Sequence, residues 1–399
     1  MKDESLNKNP HLGFLNNIEW MNAQASEIFI SVNDRNHPEL PVLSASQEWG
    51  MIYRDEGGMN IFHDVANEIT YKRVRPGQFV IHLRSFQGGF AHSKVEGITS
   101  PAYTILDFKD KNKHNDLFWK YVLTSDEFIK RLELITYGIR DGRSINFSDF
   151  STLNFYFPSY EVQQKIGTFL SHVDSLIQAK TKKLESLKTV KKSLLQKCFP
   201  KAGEKVPEMR FAGFSGDWEE SSATKLFETV SDKGHPELPV LSASQELGMI
   251  YRDDFKSDIQ YNTQNTFGYK RVCPKQFVIH LRSFQGGFAH SKIEGITSPA
   301  YTILKLRDEN NHDDIFWKYV LTSESFIKTL ETIIYGIRDG KSISFDDFST
   351  LVFIYPSSKN EQQKIGQFFS KYDSLISAQQ NEIDKLKDIK KSLLQKMFI

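Results

Sequence analysis

His82-Leu83-Arg84-Ser85-Phe86-Gln87-Gly88-Gly89-Phe90-Ala91-His92-Ser93-Lys94 recurs letter for letter as His280–Lys292, 198 residues later in a chain of 399. A chain that writes one module twice presents two equivalent surfaces, so its function is read as a pair. Gln78-Phe79-Val80-Ile81-His82-Leu83 reads as a strand closed by the Gln87-Gly88-Gly89 turn. On the C-terminal side, Ile98–Leu106 is a turn-then-strand segment repeated at Ile296–Leu304. Apolar residues at helical spacing then predict helices over Leu117–Leu134 and Ile315–Leu330. Each module closes on a glycine-bounded stretch, Tyr137–Gly142 and Tyr335–Gly340. On the N-terminal side, identity begins at His37 and His235, where Leu40–Leu43 and Leu238–Leu241 suit a strand edge because Pro interrupts them. The copies diverge most at Glu56–Thr70 against Asp254–Gly268. Each module is mixed α and β.

Beyond Pro158 and Pro356 the texture changes. From Gln163 to Phe199 the apolar residues fall at Ile166, Leu170, Val173, Ile177, Leu184, Leu187, Leu194 and Cys198, with Lys180 and Lys191 in the gaps. The second copy places Ile365, Phe369, Tyr372, Ile376, Ile383, Leu386, Leu393 and Met397 in the same way, with Gln379 and Lys390 in the gaps. Alternating steps of three and four are a coiled-coil seam. Each helix spans roughly 50 Å at about 1.5 Å per residue, and neither stands alone in water with its seam exposed. The two are therefore expected to pack on each other, antiparallel, and to hold the modules apart. Pro200–Pro207 breaks the first helix and leads into the second module.

The bulk numbers exclude more than they assign. Formal net charge is +1, so any affinity for phosphate has to come from local clusters of Lys and Arg. The two cysteines, Cys198 and Cys273, share no Cys-x-x-Cys pair, which argues against a zinc ribbon or a disulfide framework. No apolar run approaches the length of about 20 residues that spans a bilayer. The polar start Met1–Lys8 lacks the core of a signal peptide, and a cytoplasmic location is expected.

Module, long helix, module, long helix resembles the plan of the specificity subunit of type I restriction–modification systems. The resemblance covers nearly the whole chain. Its most telling text is Val206–Glu219, similar to the opening of target-recognition domains in that family; in the first module only Leu12-Gly13-Phe14 and Trp20 remain of it. The helix openings Gln163-Gln164-Lys165-Ile166-Gly167 and Gln362–Gly366 also match, as do the endings Lys191–Lys197 and Lys390–Lys396. The resemblance implies two DNA-reading domains, each recognising half of a bipartite site. It implies that the helices act as a ruler and as the dock for two methyltransferase subunits, with two motor/nuclease subunits joining for restriction. S-adenosylmethionine, ATP and Mg are then expected on those partners and no cofactor on this chain.

Individual residues sharpen the expectation. Arg84 with Gln87, and Arg282 with Gln285, are the types that read base edges, Arg on guanine and Gln on adenine. Arg140 and Arg143, like Arg338 and Lys341, sit beside glycines that let a loop approach DNA closely. Lys72-Arg73 and Lys270-Arg271 suit phosphates. The competing reading is that Arg84 pairs with an acidic neighbour and the Gly-Gly turn only closes a hairpin. Ser100-Pro101-Ala102-Tyr103 and Ser298–Tyr301 resemble the loop with which amino-methyltransferases hold an extruded base. No glycine-rich loop follows a strand to cradle S-adenosylmethionine, so a structural turn is preferred. Gly336–Ser342 is one residue short of a phosphate-binding loop and follows a helical stretch; ATP binding is rejected. His82 and His92, with His280 and His290, lack metal-ligand spacing and read as core hydrogen-bonding residues.

The fold expected is α+β: two similar target-recognition domains at 1–158 and 201–356, with long helices at 159–200 and 357–399, arranged as a pseudo-two-fold repeat. The function expected is non-catalytic reading of a near-palindromic, interrupted DNA site. A coiled-coil scaffold that binds protein without specific DNA binding is the alternative.

Overall fold

The computed structural model describes residues 18–46, 49–57, 65–82, 89–136, 145–244, 247–254, 263–280, 287–323, 325–327, 330 and 345–397. The first module runs β1 (Met21–Gln24), α1 (Ala25–Ile28), β2 (Phe29–Val32), β3 (Leu43–Ser46), β4 (Gly50–Tyr53), β5 (Lys72–Val74), β6 (Phe79–Ile81), β7 (Phe90–His92), β8 (Gly97–Thr99) and β9 (Thr104–Phe108). It continues through α2 (Asp116–Leu123), α3 (Asp126–Thr136), α4 (Phe147–Ser151) and β10 (Asn154–Phe157). A four-stranded antiparallel sheet, in the order β2-β9-β6-β7, is its centre. The pairs β3-β4, β5-β8 and β1-β10 surround it.

Strand side chains alternate between faces, and here both faces are buried. Phe79, Ile81, Phe90, Leu106 and Phe108 point into an aromatic core with Phe29, Trp119, Phe150 and Phe155. Val80, Ala91 and Ile105 point the other way, onto Leu43, Met51 and Val74. That explains why the repeated stretch is so apolar: its strands have no solvent side. Asn115 caps α2 by accepting from the Phe118 amide.

The second module repeats this with β11 (Glu219–Ser222), α6 (Ala223–Leu226), β12 (Phe227–Val230), β13 (Leu241–Ser244), β14 (Gly248–Tyr251), β15 (Lys270–Val272), β16 (Phe277–Ile279), β17 (Phe288–His290), β18 (Gly295–Thr297) and β19 (Thr302–Leu306). Then come α7 (Asp314–Leu321), α8 (Phe345–Ser349) and β20 (Val352–Tyr355). Its central sheet, β12-β19-β16-β17, has the same order.

The long helices are α5 (Tyr160–Cys198) and α9 (Lys359–Met397), 39 residues each. Among their described residues, Ile166, Leu170, Leu184 and Cys198 are buried, and so are Ile365, Phe369, Ile383 and Met397. No helix among the described residues is long and apolar enough to cross a membrane.

As compact bodies the chain divides differently from its four stretches of sequence. One unit is Met1–Lys182 with Asn381–Ile399; the other is Lys183–Gln380. In the first, Leu393, Leu394 and Met397 of α9 pack into the first module's aromatic core beside Ile166 and Leu170 of α5. There the two helix segments run antiparallel, since Lys180 pairs with Glu382 at 2.6 Å and Asp174 with Lys390 at 2.5 Å. In the second unit, Leu194, Leu195, Cys198 and Phe199 complete the second module's core beside Ile365 and Phe369.

Candidate nucleic-acid interface

The repeated sequence carries β6 and β7, paired from Phe79–His92 to Ile81–Phe90, and the described part of the hairpin ends at His82 and Gly89. Ile81 pairs with Phe90, and the His82 amide donates to the Gly89 carbonyl at 2.9 Å; the His280 amide and the Gly287 carbonyl repeat this distance. The described part of each hairpin thus ends in a closed pair of strands. Arg84, Gln87, Arg282 and Gln285 belong to residues 83–88 and 281–286 and lie outside the described residues. So do Arg140, Arg143, Arg338 and Lys341, as well as the glycine-bounded near-match at 336–342.

The base of the hairpin is held from two sides. The His82 ring meets Tyr103 edge-on at 6.1 Å, and His280 meets Tyr301 at the same distance. Burial pushes His280 below the usual imidazole range, which favours a neutral ring. His92 lies deeper: its Nε2 is 2.8 Å from Asp116 Oδ2, and His290 is 2.7 Å from Asp314. Burial opposes ionisation of Asp116, yet the hydrogen bond to His92 holds its carboxyl below the ordinary value. These histidines tie β7 and β17 to the helix that follows. Among the described residues, no cluster of three or more His, Cys, Asp or Glu is arranged to hold a metal ion. Ser100–Tyr103 is a turn: the Tyr103 amide donates to the Ser100 carbonyl at 3.1 Å and the Ala102 amide to Ser100 Oγ at 3.3 Å.

The four described candidates are engaged within the chain. Lys72 Nζ donates to the Tyr103 carbonyl at 2.6 Å and Lys270 to that of Tyr301 at 2.7 Å; burial lowers both ammonium groups. Arg73 donates from Nε and Nη2 to Glu96, at 2.9 and 2.6 Å. Arg271 makes the same fork on Glu294 and adds Asp232 at 3.4 Å. A phosphate bound by any of the four would have to exchange an existing partner.

What sequence reading missed is a carboxylate at the centre of each unit's helix packing. Asp174 accepts from Lys120 at 3.0 Å, from the Tyr121 hydroxyl at 2.7 Å and from Lys390 at 2.5 Å. Asp373 accepts from Lys318 at 2.7 Å, Tyr319 at 2.6 Å and Lys191 at 2.5 Å. Burial works against both carboxylates, but these donors hold them below the ordinary value. A signal was present: Lys191 and Lys390 interrupt an apolar seam, and a lysine placed there needs a carboxylate partner. The helix-opening motif is also explained. Gln163 is fully buried, accepts from the Asn115 amide at 2.9 Å and donates to the Pro158 carbonyl at 2.8 Å. A Cβ on Gly167 would lie 2.6 Å from the Phe118 amide nitrogen, so helix and module touch without room for a side chain.

Residues 19–189 match the model of the type I restriction modification DNA specificity domain. The second half of the sequence repeats much of this matched stretch. A Methanocaldococcus jannaschii protein assigned as a type I restriction enzyme MjaX specificity subunit is 23% identical over 83% of this chain and 77% of its own length. The crystal structure of a type I restriction–modification S subunit from M. genitalium superposes with a TM-score of 0.65 at 16% identity, covering 98% of this chain and 99% of that one. A second structure, from work on assembly and conformational transition of the type I system, gives 0.51 at 14% identity over 95% and 97% of the two chains. At such identities the likeness to the specificity-subunit structures is one of fold, and both modules and both helices take part in it.

Proposed function

We propose that this chain is the non-catalytic specificity subunit of a type I restriction–modification complex and that it reads an interrupted, near-palindromic DNA site. The observation that carries the reading is the duplication of one hairpin: β6–β7 and β16–β17 present the same loop sequence on the same closed pair of strands. Two copies of one reading loop call for two copies of one half-site. Arg84 and Gln87, with Arg282 and Gln285, supply the bidentate donors and acceptors for guanine and adenine edges. Arg140, Arg143, Arg338 and Lys341 add cations beside glycines; Lys72, Arg73, Lys270 and Arg271 brace the loop bases through the partners described above.

Methyl transfer then belongs to two partner subunits that bring S-adenosylmethionine, and translocation and cleavage to subunits that use ATP and Mg. Their docking ground is the outer side of the long helices. Leu176 and Val190 are exposed on α5, two heptads apart, and their equivalents Leu375 and Ile389 are exposed on α9. Apolar residues outside the seam suit a protein partner.

The test is a methylome of cells with and without the gene, with the methyltransferase partner active. Loss of N6-methyladenine at one interrupted palindrome is the expected result. Loss at an asymmetric motif would keep the specificity role and remove the symmetric site. No loss anywhere would leave the protein-binding scaffold.

A further inference from the structure

Both modules expose large apolar side chains, usually in one copy only. Met21 and Ile30 are exposed where the second copy carries Glu219 and Glu228, and Val352 where the first carries Asn154. Among the described module residues, both copies expose an apolar residue at two equivalent positions. These are Trp49 with Leu247, at 50% and 66%, and Ile69 with Phe267, at 53% and 70%. At each position the residue has changed and its apolar character has not. From His37 to Asp55 the two copies differ at Trp49/Leu247 alone. The exposed Tyr156 and Tyr251 correspond to the less exposed Ile354 and Tyr53 in the other copy, so only these two described positions keep an exposed apolar residue in both, as a surface with a partner does.

The position is also held still. The Trp49 amide donates to Ser46 Oγ at 3.2 Å and the Leu247 amide to Ser244 Oγ at 3.3 Å, which ties each to the end of the preceding strand. The next residue, Gly50 or Gly248, has φ of +77° or +79°, and a Cβ there would lie 2.2 or 2.3 Å from the carbonyl oxygen of His92 or His290. The β3–β4 hairpin is thus pressed against the strand that leaves the reading loop. Met51 and Ser93 form a parallel bridge, which carries Trp49 toward the Gly89 end of β7, where residues 83–88 depart.

We infer that position 49/247 is an apolar base contact of the DNA-reading surface: Trp49 in one module and Leu247 in the other pack on bases of the two half-sites. Ile69 and Phe267 form the second such position. The inference rests on the DNA-reading function proposed above. Apolar side chains contact thymine methyl groups or enter a base step, and aromatic ones stack on bases. Identical hydrogen-bonding loops would then be accompanied by unequal apolar contacts, and the two halves of a near-palindrome would be bound unequally.

Trp49 is its own probe. Trp119, Trp218 and Trp317 are buried, so subtracting the emission of Trp49→Leu from that of the full chain isolates the exposed tryptophan. Duplexes captured from a random pool by the full chain serve as ligand, and the anisotropy of a dye on the DNA measures binding independently. On binding, acrylamide quenching of the Trp49 component should fall by about threefold or more. Trp49→Ala should weaken binding about tenfold with the salt slope unchanged, because no cation is lost. Leu247→Trp should create a second shielded emitter. A bound duplex that leaves Trp49 as accessible as in the free chain would overturn this inference and leave the DNA-reading function standing. Failure to capture any duplex would overturn both. An unshielded Leu247→Trp beside a shielded Trp49 would overturn the equivalence of the two tips.

Discussion

The two units are built on one plan, and they differ at the helix position that holds Glu361 in one and Val162 in the other. In the second unit the opening segment is clamped to α9: Arg210 forks onto Glu361 at 2.7 and 2.9 Å and also donates to the Gly216 carbonyl at 2.5 Å. Phe211 meets Phe368 edge-on and Lys364 lies over Phe214. In the first unit the position of Glu361 is held by Val162, which packs against the core. Everything that docks helix on module is shared: the buried Gln, the close-approach Gly, the Asp–Tyr–Lys–Lys network. The Arg210–Glu361 clamp has no counterpart at Val162. Interfaces that fit helix to module are repeated, while the clamp on the second unit's opening segment depends on Glu361.

The comparison breaks most visibly if the shared docking is removed from one side only. Ending the chain after Lys390 deletes Leu393, Leu394 and Met397 from the first unit's core. Since loss of each buried aliphatic side chain costs about 2–5 kcal/mol, hydrogen exchange should rise throughout α2 and its neighbours while α7 keeps its protection. Equal loss in both units would show that they unfold together.

A smaller effect isolates the clamp. Arg210→Ala leaves Glu361, 1% exposed, as an uncompensated charge and should destabilise the second unit by about 3 kcal/mol. Adding Glu361→Val, the residue the first repeat carries, should recover much of that loss. A double variant no better than the single one would mean that the ion pair is needed for more than charge balance.

The shared network predicts matched, intermediate losses. Asp174→Asn and Asp373→Asn should each cost about 1–3 kcal/mol, below the range for fully buried pairs because both carboxylates keep some solvent contact. Both groups titrate below their unfolded value of 3.8. Their contribution is therefore complete above about pH 4 and is lost as pH falls through the depressed native values. Acid unfolding of either variant should be flatter in that range; an unchanged acid limb would remove the network from the account. The least effect on stability is expected at the hairpin tips. Trp49→Leu and Leu247→Trp should each stay within about 0.5 kcal/mol by denaturant titration, since both residues are exposed.

Much of this was legible in sequence because repetition did the work of an alignment. The letter-identical stretches revealed the strands at Gln78–Leu83 and Ile98–Leu106, and the spacing of Ile166, Leu170 and Leu184 revealed the helix and its buried side. Other features were not readable. Asp174 sits beside the apolar seam and looks like an ordinary surface carboxylate until Lys120 and Lys390, distant in sequence, arrive at it. Arg73 and Lys72 read as residues suited to phosphates, and nothing local shows that Glu96 folds back onto one or that the Tyr103 carbonyl reaches the other. The exchange of helix ends was invisible for the same reason: periodicity shows that a helix has an apolar side, but not which core receives it.

That exchange orders the birth of the protein. The second unit is one uninterrupted stretch, Lys183–Gln380, whereas the first needs residues from Asn381 onward to finish a core begun at its sheet. At a translation rate of roughly 5–20 residues per second, the first module waits about 10–40 s for the side chains that seal it. The part made first is thus closed after the part made second. A nascent chain that stops short carries an open aromatic core at its N-terminal end.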